Sequence, residues 1–456
     1  MKKIVVLASL FWLAGGVFAQ SILSSNKLPS TGVYQAGSLR MDVTSKSEAN
    51  SFSYLLGTVG KYPIEMRLME SIGLEKRVSI SGSYNYLSTE KLMPILGVKK
   101  STGWWICVAD EMEESLNGNN LLSEMEGTFL QFPIDIKTGK MLVKPDANLE
   151  RFHLVEKQDS LVGQWVRFDA KSKQLKQLPV GLKVSGNIAR WKHFTENSNA
   201  VVTLKDESTF EASLELDIAW PEGTDAVSVG LQRFIWETMG SVLVDEVKMA
   251  QVEGYQPKQY PFPKTDVELR ATLKKMQADN QKEYFQWITD SWQSDSAGML
   301  ESAFGYRKAQ SIYFGLDWIN EHLAQFAYWE YEFNGGAHGM TFSDTKLFDV
   351  KQQKEIQFKD LIDLRKEKEL LKLLENQLKR DLKLRPDAEL QEAGFFESHW
   401  NTISENISLG KNGITFHYGL YEVAPYSMGF TEITLPYGAV KPFLKPGYAD
   451  IAKWVK

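Results

Sequence analysis

The apolar residues change period along this chain, and that change restricts the folds open to it. In the first third they alternate. Tyr62, Ile64, Met66 and Leu68 are spaced by Pro63, Glu65 and Arg67, the period-two pattern of a strand with one buried face. Val78-Ser79-Ile80 leads into Gly82-Ser83-Tyr84, and a similar glycine–polar–aromatic step recurs at Gly127-Thr128-Phe129 and Gly163-Gln164-Trp165. Each step reads as a bend or close strand approach with an aromatic plug beside it. Residues 51–184 are therefore expected to form an antiparallel β-sheet or small barrel. Residues 20–50, rich in Ser, Gly, Asn and Lys, read as a linker.

Further along, the two periods mix. Phe210, Ala212, Leu214 and Leu216 alternate, then Leu231, Phe234, Ile235, Val242 and Leu243 take helical spacing between Ala226 and Val244. A second helix is expected from 265 to about Trp292, capped by Thr265 or Asp266, with Leu269, Leu273, Met276, Ile288 and Trp292 on its apolar face. Strands are expected within Ser311–Phe333 and over Thr341–Val350. Phe358 to about Leu384 reads as one helix with a stripe of Leu364, Leu371, Leu374, Leu378 and Leu382. Asp360 and Asp363 at its start and Lys379 and Arg380 at its end suit the helix dipole. Lys411-Asn412-Gly413 predicts a hairpin turn between Ile407–Leu409 and Ile414–Tyr418, with a last strand over Thr431–Leu435. The fold class is α+β: the N-terminal sheet or barrel, then an α+β module with mixed strands and three or more helices. That module divides into a partner domain over 200–300 and a further domain over 301–456.

Charge and cysteine content narrow the function. The formal charge of −6 carries no basic stripe of the kind a dedicated nucleic-acid binder shows, so no nucleic-acid partner is expected. Lys2 and Lys3, the apolar run Ile4–Leu13 and Val17-Phe18-Ala19 before Gln20 form a secretory signal peptide over 1–19. Its apolar core is too short to span a bilayer, and no later stretch is long enough. The mature protein is expected to be soluble in the periplasm or outside the cell, without a transmembrane segment. Cys107 is the single cysteine, so no intramolecular disulfide forms and stability must come from apolar burial. Within Trp104-Trp105-Ile106-Cys107-Val108 it reads as a buried, inert thiol.

Enzyme motifs are missing. Pro425-Tyr426-Ser427-Met428-Gly429 lacks the first glycine of a nucleophile elbow, and no H-E-x-x-H, G-x-x-x-x-G-K or G-x-G-x-x-G occurs. No catalytic residue, metal ligand or cofactor is assigned. The six histidines are scattered along the chain, and a metal held by His338, His417 and a carboxylate such as Glu422 is one arrangement they allow. His338 has the best claim to a role, because it sits between glycines that let a ligand approach the backbone.

Five further segments stand in a definite order. Tyr331-Glu332-Phe333-Asn334-Gly335-Gly336-Ala337-His338-Gly339 is followed by Gln357-Phe358-Lys359-Asp360-Leu361-Ile362. Then come Ile414-Thr415-Phe416-His417-Tyr418, Tyr421-Glu422-Val423-Ala424-Pro425-Tyr426-Ser427-Met428-Gly429 and Thr431–Leu435 before Pro436-Tyr437. From roughly 311 to 445 this order resembles the C-terminal domain of unknown function shared by RsiV-type anti-sigma factors and PdaC-type peptidoglycan deacetylases. Residues 205–300 resemble its usual partner domain; the β region over 52–182 has no counterpart. The resemblance implies an extracytoplasmic α+β module without chemistry of its own, which in the anti-sigma factors binds lysozyme. The expected ligand-binding residues are Gly335, Gly336, His338, Gly339, Tyr421, Glu422, Pro425 and Tyr426. The expected function is a secreted or periplasmic non-catalytic binding protein for a lysozyme-like protein, peptidoglycan or another glycan. A hydrolase of envelope polysaccharide and a structural envelope protein are the alternatives.

Overall fold

The computed structural model describes residues 31–36, 39–72, 78–89, 93–108, 149–158, 160–169, 171–184, 191–203, 209–243, 260–294 and 307–455. The signal-peptide reading and the step Gly127-Thr128-Phe129 lie outside these residues. No helix among them is long and apolar enough to cross a membrane. The chain divides into two compact units, one built around Ala49–His193 and one around Phe194–Trp220 and Thr224–Lys456.

β1 (Thr31–Ala36) pairs antiparallel with the start of β2 (Leu39–Val59), Thr31 opposite Thr44 and Ala36 opposite Leu39. The linker expected over 20–50 is thus strand from Thr31 onward. Strand formation here rests on main-chain pairing, which a polar sequence makes as well as an apolar one.

The first unit is an eight-stranded antiparallel barrel. Its strands are the end of β2, then β3 (Tyr62–Ile72), β4 (Val78–Tyr86), β5 (Met93–Lys100), β6 (Gly103–Val108), β7 (Leu149–Lys157), β8 (Ser160–Asp169) and β9 (Gln174–Val184). Each pairs with the next, and β9 returns to β2 with Leu182 opposite Gly57 and Val180 opposite Val59. Closure leaves no open edge within the ring. Period-two alternation sends Leu55, Ile64, Met66, Leu68, Tyr84, Ile106, Phe152, Leu154 and Trp165 into one packed core. Two of the glycine–aromatic steps do what their sequence implied. A Cβ at Gly82 would strike the Arg67 carbonyl, and one at Gly163 the His153 carbonyl, while Tyr84 and Trp165 two residues later fill the interior. One carboxylate, Glu150, is buried there and accepts from Tyr84 O–H and from Trp165 Nε1–H at 2.6 Å. Burial first, and that carboxylate second, push the Tyr84 phenol well above its ordinary pKa. Cys107 is fully buried and donates to the Leu96 carbonyl at 3.2 Å.

The second unit is a helix-backed sheet in the order β10 (Trp191–Thr203), β11 (Thr209–Pro221), β12 (Lys308–Ile319), β13 (Leu323–Phe333), β14 (Met340–Asp349) and β15 (Lys354–Ile356). β11 and β12 are parallel, Ala212 opposite Lys308 and Ile218 opposite Phe314. A parallel pair needs a long crossover. α1 (Ala226–Leu243) and α2 (Asp266–Ser294) lie within it. The segments 200–300 and 301–456, read as separate domains, therefore share one sheet. α1 puts Phe234 against Phe314, Phe326 and Phe348. α2 packs Tyr284, Phe285 and Ile288 on Ala200, Val202, Phe210 and Ala212. Of the two caps considered for α2, Thr265 serves: its hydroxyl accepts from Glu268 N–H at 3.2 Å, and the Glu268 carboxylate accepts from Lys264 N–H at 2.7 Å.

The expected helix over 358–384 is broken. α3 (Phe358–Leu361) ends at Ile362, whose backbone is extended and bridges to Leu444. Asp363 then caps a 3₁₀ turn by accepting from Arg365 N–H, and α4 (Glu367–Asp381) follows. The break takes Leu364 out of the stripe and leaves it 44% exposed, while Leu370, Leu374 and Leu378 are buried. They pack on a three-stranded antiparallel sheet of β16 (Ile407–Leu409), β17 (Gly413–Tyr418) and β18 (Thr431–Pro436). Asn406, just before β16, fastens this sheet to β14: its side chain accepts from Thr345 N–H at 2.9 Å and donates to the Ser343 carbonyl at 2.8 Å.

Candidate functional site

Two loops build the candidate site. The first joins β13 to β14. Gly335 and Gly336 turn it with φ of 86° and 94°, values that cost a side-chain-bearing residue about 1 kcal/mol or more each. Gly339 leaves room of a different kind: a Cβ there would push aside the ring of Tyr331. Between them, His338 is carried outward and is exposed.

The second loop joins β17 to β18. Tyr421 sits in a tight turn at φ 64°, a left-handed conformation held although the residue is not glycine. Glu422 closes this turn, its carboxylate accepting from Gly419 N–H at 2.7 Å. Pro425 opens a 3₁₀ turn over Tyr426–Met428, in which Met428 N–H donates to the Pro425 carbonyl at 2.9 Å. Phe430, at the end of the loop, meets Trp329 of β13 edge-on at 5.7 Å and ties the loop to the sheet.

The two loops meet, although 83 residues separate His338 from Tyr421. The imidazole of His338 stacks on Tyr426 with centroids 4.1 Å apart and planes 27° off parallel. Tyr421 lies beyond, 6.4 Å from His338 and 5.6 Å from Tyr426. The Gly339 carbonyl joins both sides, accepting from His338 Nδ1–H at 3.0 Å and from Tyr426 O–H at 3.3 Å. A proton on Nδ1 leaves Nε2 of the neutral ring as an acceptor, and Tyr421 O–H faces it at 3.4 Å. Tyr421 is 49% exposed, Tyr426 half-buried and Val423 and Ala424 buried beneath them. The result is a wet aromatic shelf with a buried footing.

The shelf is bordered by further apolar surface. Met428 is exposed over Gly394, and exposed Phe396 is brought alongside by its N–H bond to the Val423 carbonyl at 3.0 Å. A groove of about 170 Å³ runs here, lined among others by Phe396, His399, Trp400 and Glu422. That is less than the ~300 Å³ at which pockets begin to enclose a small molecule. The arrangement thus offers a surface for contact. Trp329, Phe396, Met428 and Phe430 were not among the expected ligand-binding residues, since nothing in their local spacing separates a shelf residue from a core residue.

The residues considered for a metal do not converge. His338 engages Tyr421, Tyr426 and Gly339, whereas His417 engages Ser408 and Glu432. No group of three or more potential metal-ligating side chains occurs among the described residues.

Comparison with known proteins finds a family match over the second loop. Residues 359–438 match the model of DUF3298, a protein family of unknown function, so the C-terminal part of the chain carries a DUF3298 domain. That span includes Tyr421, Glu422, Pro425 and Tyr426, and the His338 loop precedes it. Among solved structures, a DUF3298 family member from Bacteroides fragilis is 23% identical, with 54% of this chain and 89% of that one covered at a TM-score of 0.44. A DUF3298 family protein from Pseudomonas aeruginosa is 18% identical, with 52% of this chain and 86% of that one covered at a TM-score of 0.33. No curated protein matches the sequence.

Proposed function

We propose that this protein is an exported binding protein that presents the His338–Tyr421–Tyr426 shelf, a surface without chemistry of its own, to a partner in the cell envelope. The carrying observation is the meeting of two distant loops in one exposed stack of three rings. Such rings offer apolar faces and polar edges together, the combination favoured at recognition surfaces. The shelf is rigid before any partner arrives, because the Gly339 carbonyl, the Glu422 turn and the Trp329–Phe430 contact hold it. Little side-chain entropy is then lost on binding. Export is supported by the basic and apolar signal pattern of the first nineteen residues.

A lysozyme-like protein is the first partner on this reading, and peptidoglycan or another glycan the second. The shallow groove and the flanking Met428 and Phe396 suit a protein surface, where methionine and aromatic residues are enriched. Immobilised protein should retain lysozyme, with affinity read by calorimetry. His338→Ala and Tyr421→Ala should each weaken it about tenfold or more. Retention of sedimented peptidoglycan instead of lysozyme assigns the glycan. Retention of neither, or equal retention by both variants, rejects the shelf as the binding surface.

A further inference from the structure

The small sheet carries a second constellation, separate from the shelf. Ile407, Leu409, Ile414, Phe416, Ile433 and Leu435 send one face of β16–β18 into the core. Alternation therefore places Ser408, Thr415, His417, Glu432 and Thr434 on the opposite face. Register sets them in rows: Ser408 lies opposite Thr415, Thr415 opposite Thr434, and His417 opposite Glu432. Ser408 Oγ is 2.7 Å from His417 Nε2, and His417 Nδ1 is 3.2 Å from Glu432 Oε1. The carboxylate can only accept, so Nδ1 carries a proton and Nε2 is left to accept from Ser408 O–H. The His417 hydrogen bond holds the Glu432 carboxyl below its ordinary pKa, against the opposing pull of burial. Solvent reaches the group: the side chains of His417 and Glu432 are 21% and 55% exposed.

A hydroxyl bonded to an imidazole that is itself oriented by a carboxylate is the arrangement that activates a serine. We propose that Ser408, His417 and Glu432 form a hydrolytic site for carboxylic esters with a small acyl group such as acetyl. His417 Nε2 takes the Ser408 proton as Oγ bonds to the ester carbonyl carbon and the carbonyl π pair moves to its oxygen. Collapse breaks the bond to the alcohol oxygen, which leaves with that proton. Water, giving a proton to the same nitrogen, then attacks the acyl-serine. The acid departs and the proton returns to Ser408, so ester and water become acid and alcohol. Thr415 and Thr434 share a 2.8 Å hydrogen bond, and whichever hydroxyl accepts keeps a proton to offer the oxyanion. Glu432 is a positioning residue acting through His417. A small acyl group suits a site carried on a sheet face, since it needs no enclosing pocket to seat it.

The full chain should turn over 4-nitrophenyl acetate well beyond one acetyl group per molecule, and a fluorophosphonate probe should add to Ser408, located by mass spectrometry. Ser408→Ala and His417→Ala, checked for folding by circular dichroism, should lower the rate about 100-fold or more and abolish the adduct. Glu432→Gln should lower kcat while KM holds. Wild type no faster than Ser408→Ala, or a probe adduct at other residues and none at Ser408, overturns the assignment.

Discussion

The barrel and the helix-backed unit both bury aromatic rings, but the second unit also holds a cluster of them at its surface. In the barrel, Trp104, Trp165, Tyr84 and Phe152 are buried in the ring, and the buried Glu150 carboxylate accepts from Tyr84 and Trp165. In the second unit, His338, Tyr421, Met428 and Phe396 stand in solvent above a core that is already complete without them. Burial of aromatic area stabilises a fold, whereas exposure of a connected patch costs free energy in water and is kept where a partner covers it. On the proposed function, the barrel rings serve stability and the shelf rings serve recognition.

Substitutions can break that division. The largest effect is expected for Trp165→Ala, which empties a packed barrel position and strips a donor from buried Glu150. It should cost about 3–5 kcal/mol in chemical denaturation while leaving the partner affinity of the folded protein unchanged. A loss of affinity in the folded variant would show that the two roles are not separable. Asn406→Ala comes next. It orphans Thr345 N–H and the Ser343 carbonyl and should cost about 1–3 kcal/mol by the same measurement. Tyr421→Gly should act in the opposite direction. It relieves a left-handed φ and should raise stability by up to about 1 kcal/mol, yet weaken binding. A fall in both would mean that Tyr421 is a structural residue.

The smallest effect is electrostatic. The Asp363 carboxyl is held down to about 2 by its hydrogen bonds from Arg365. A depressed carboxyl stabilises the fold above its unfolded value of about 4, and the contribution is lost as pH falls toward 2. Asp363→Asn should flatten that part of the melting-temperature profile between about pH 4 and 2. An unchanged profile would show that this exposed pair contributes nothing.

Alternation made Phe210–Leu216 and the barrel strands legible, and helical spacing did the same for Ala226–Leu243. The strand residues over 31–36 and 39–50 were hidden because Ser, Lys, Glu and Asn break up any apolar alternation there. The break at Ile362–Asp363 was hidden because the leucines continue in helical phase across it. The distant bridge partner imposes it: Asp363 N–H donates to the Phe443 carbonyl and Lys445 N–H to the Leu361 carbonyl, which sets Ile362 opposite Leu444. At the candidate site the glycines and tyrosines could be named from sequence, but their meeting could not. It depends on β13 and the β17–β18 connection being brought side by side by the sheet and by the Trp329–Phe430 contact. Ser408, His417 and Glu432 were illegible for the same reason: each is ordinary in its own strand, and only the register aligns them.

The shelf is tested most directly by hydrogen–deuterium exchange of the full protein with and without lysozyme, and in parallel with soluble peptidoglycan fragments. One of these partners should slow exchange over 335–339 and 419–430 together, with the barrel strands unchanged. Slowed exchange confined to the barrel, or to one loop without the other, would contradict a recognition surface made from both.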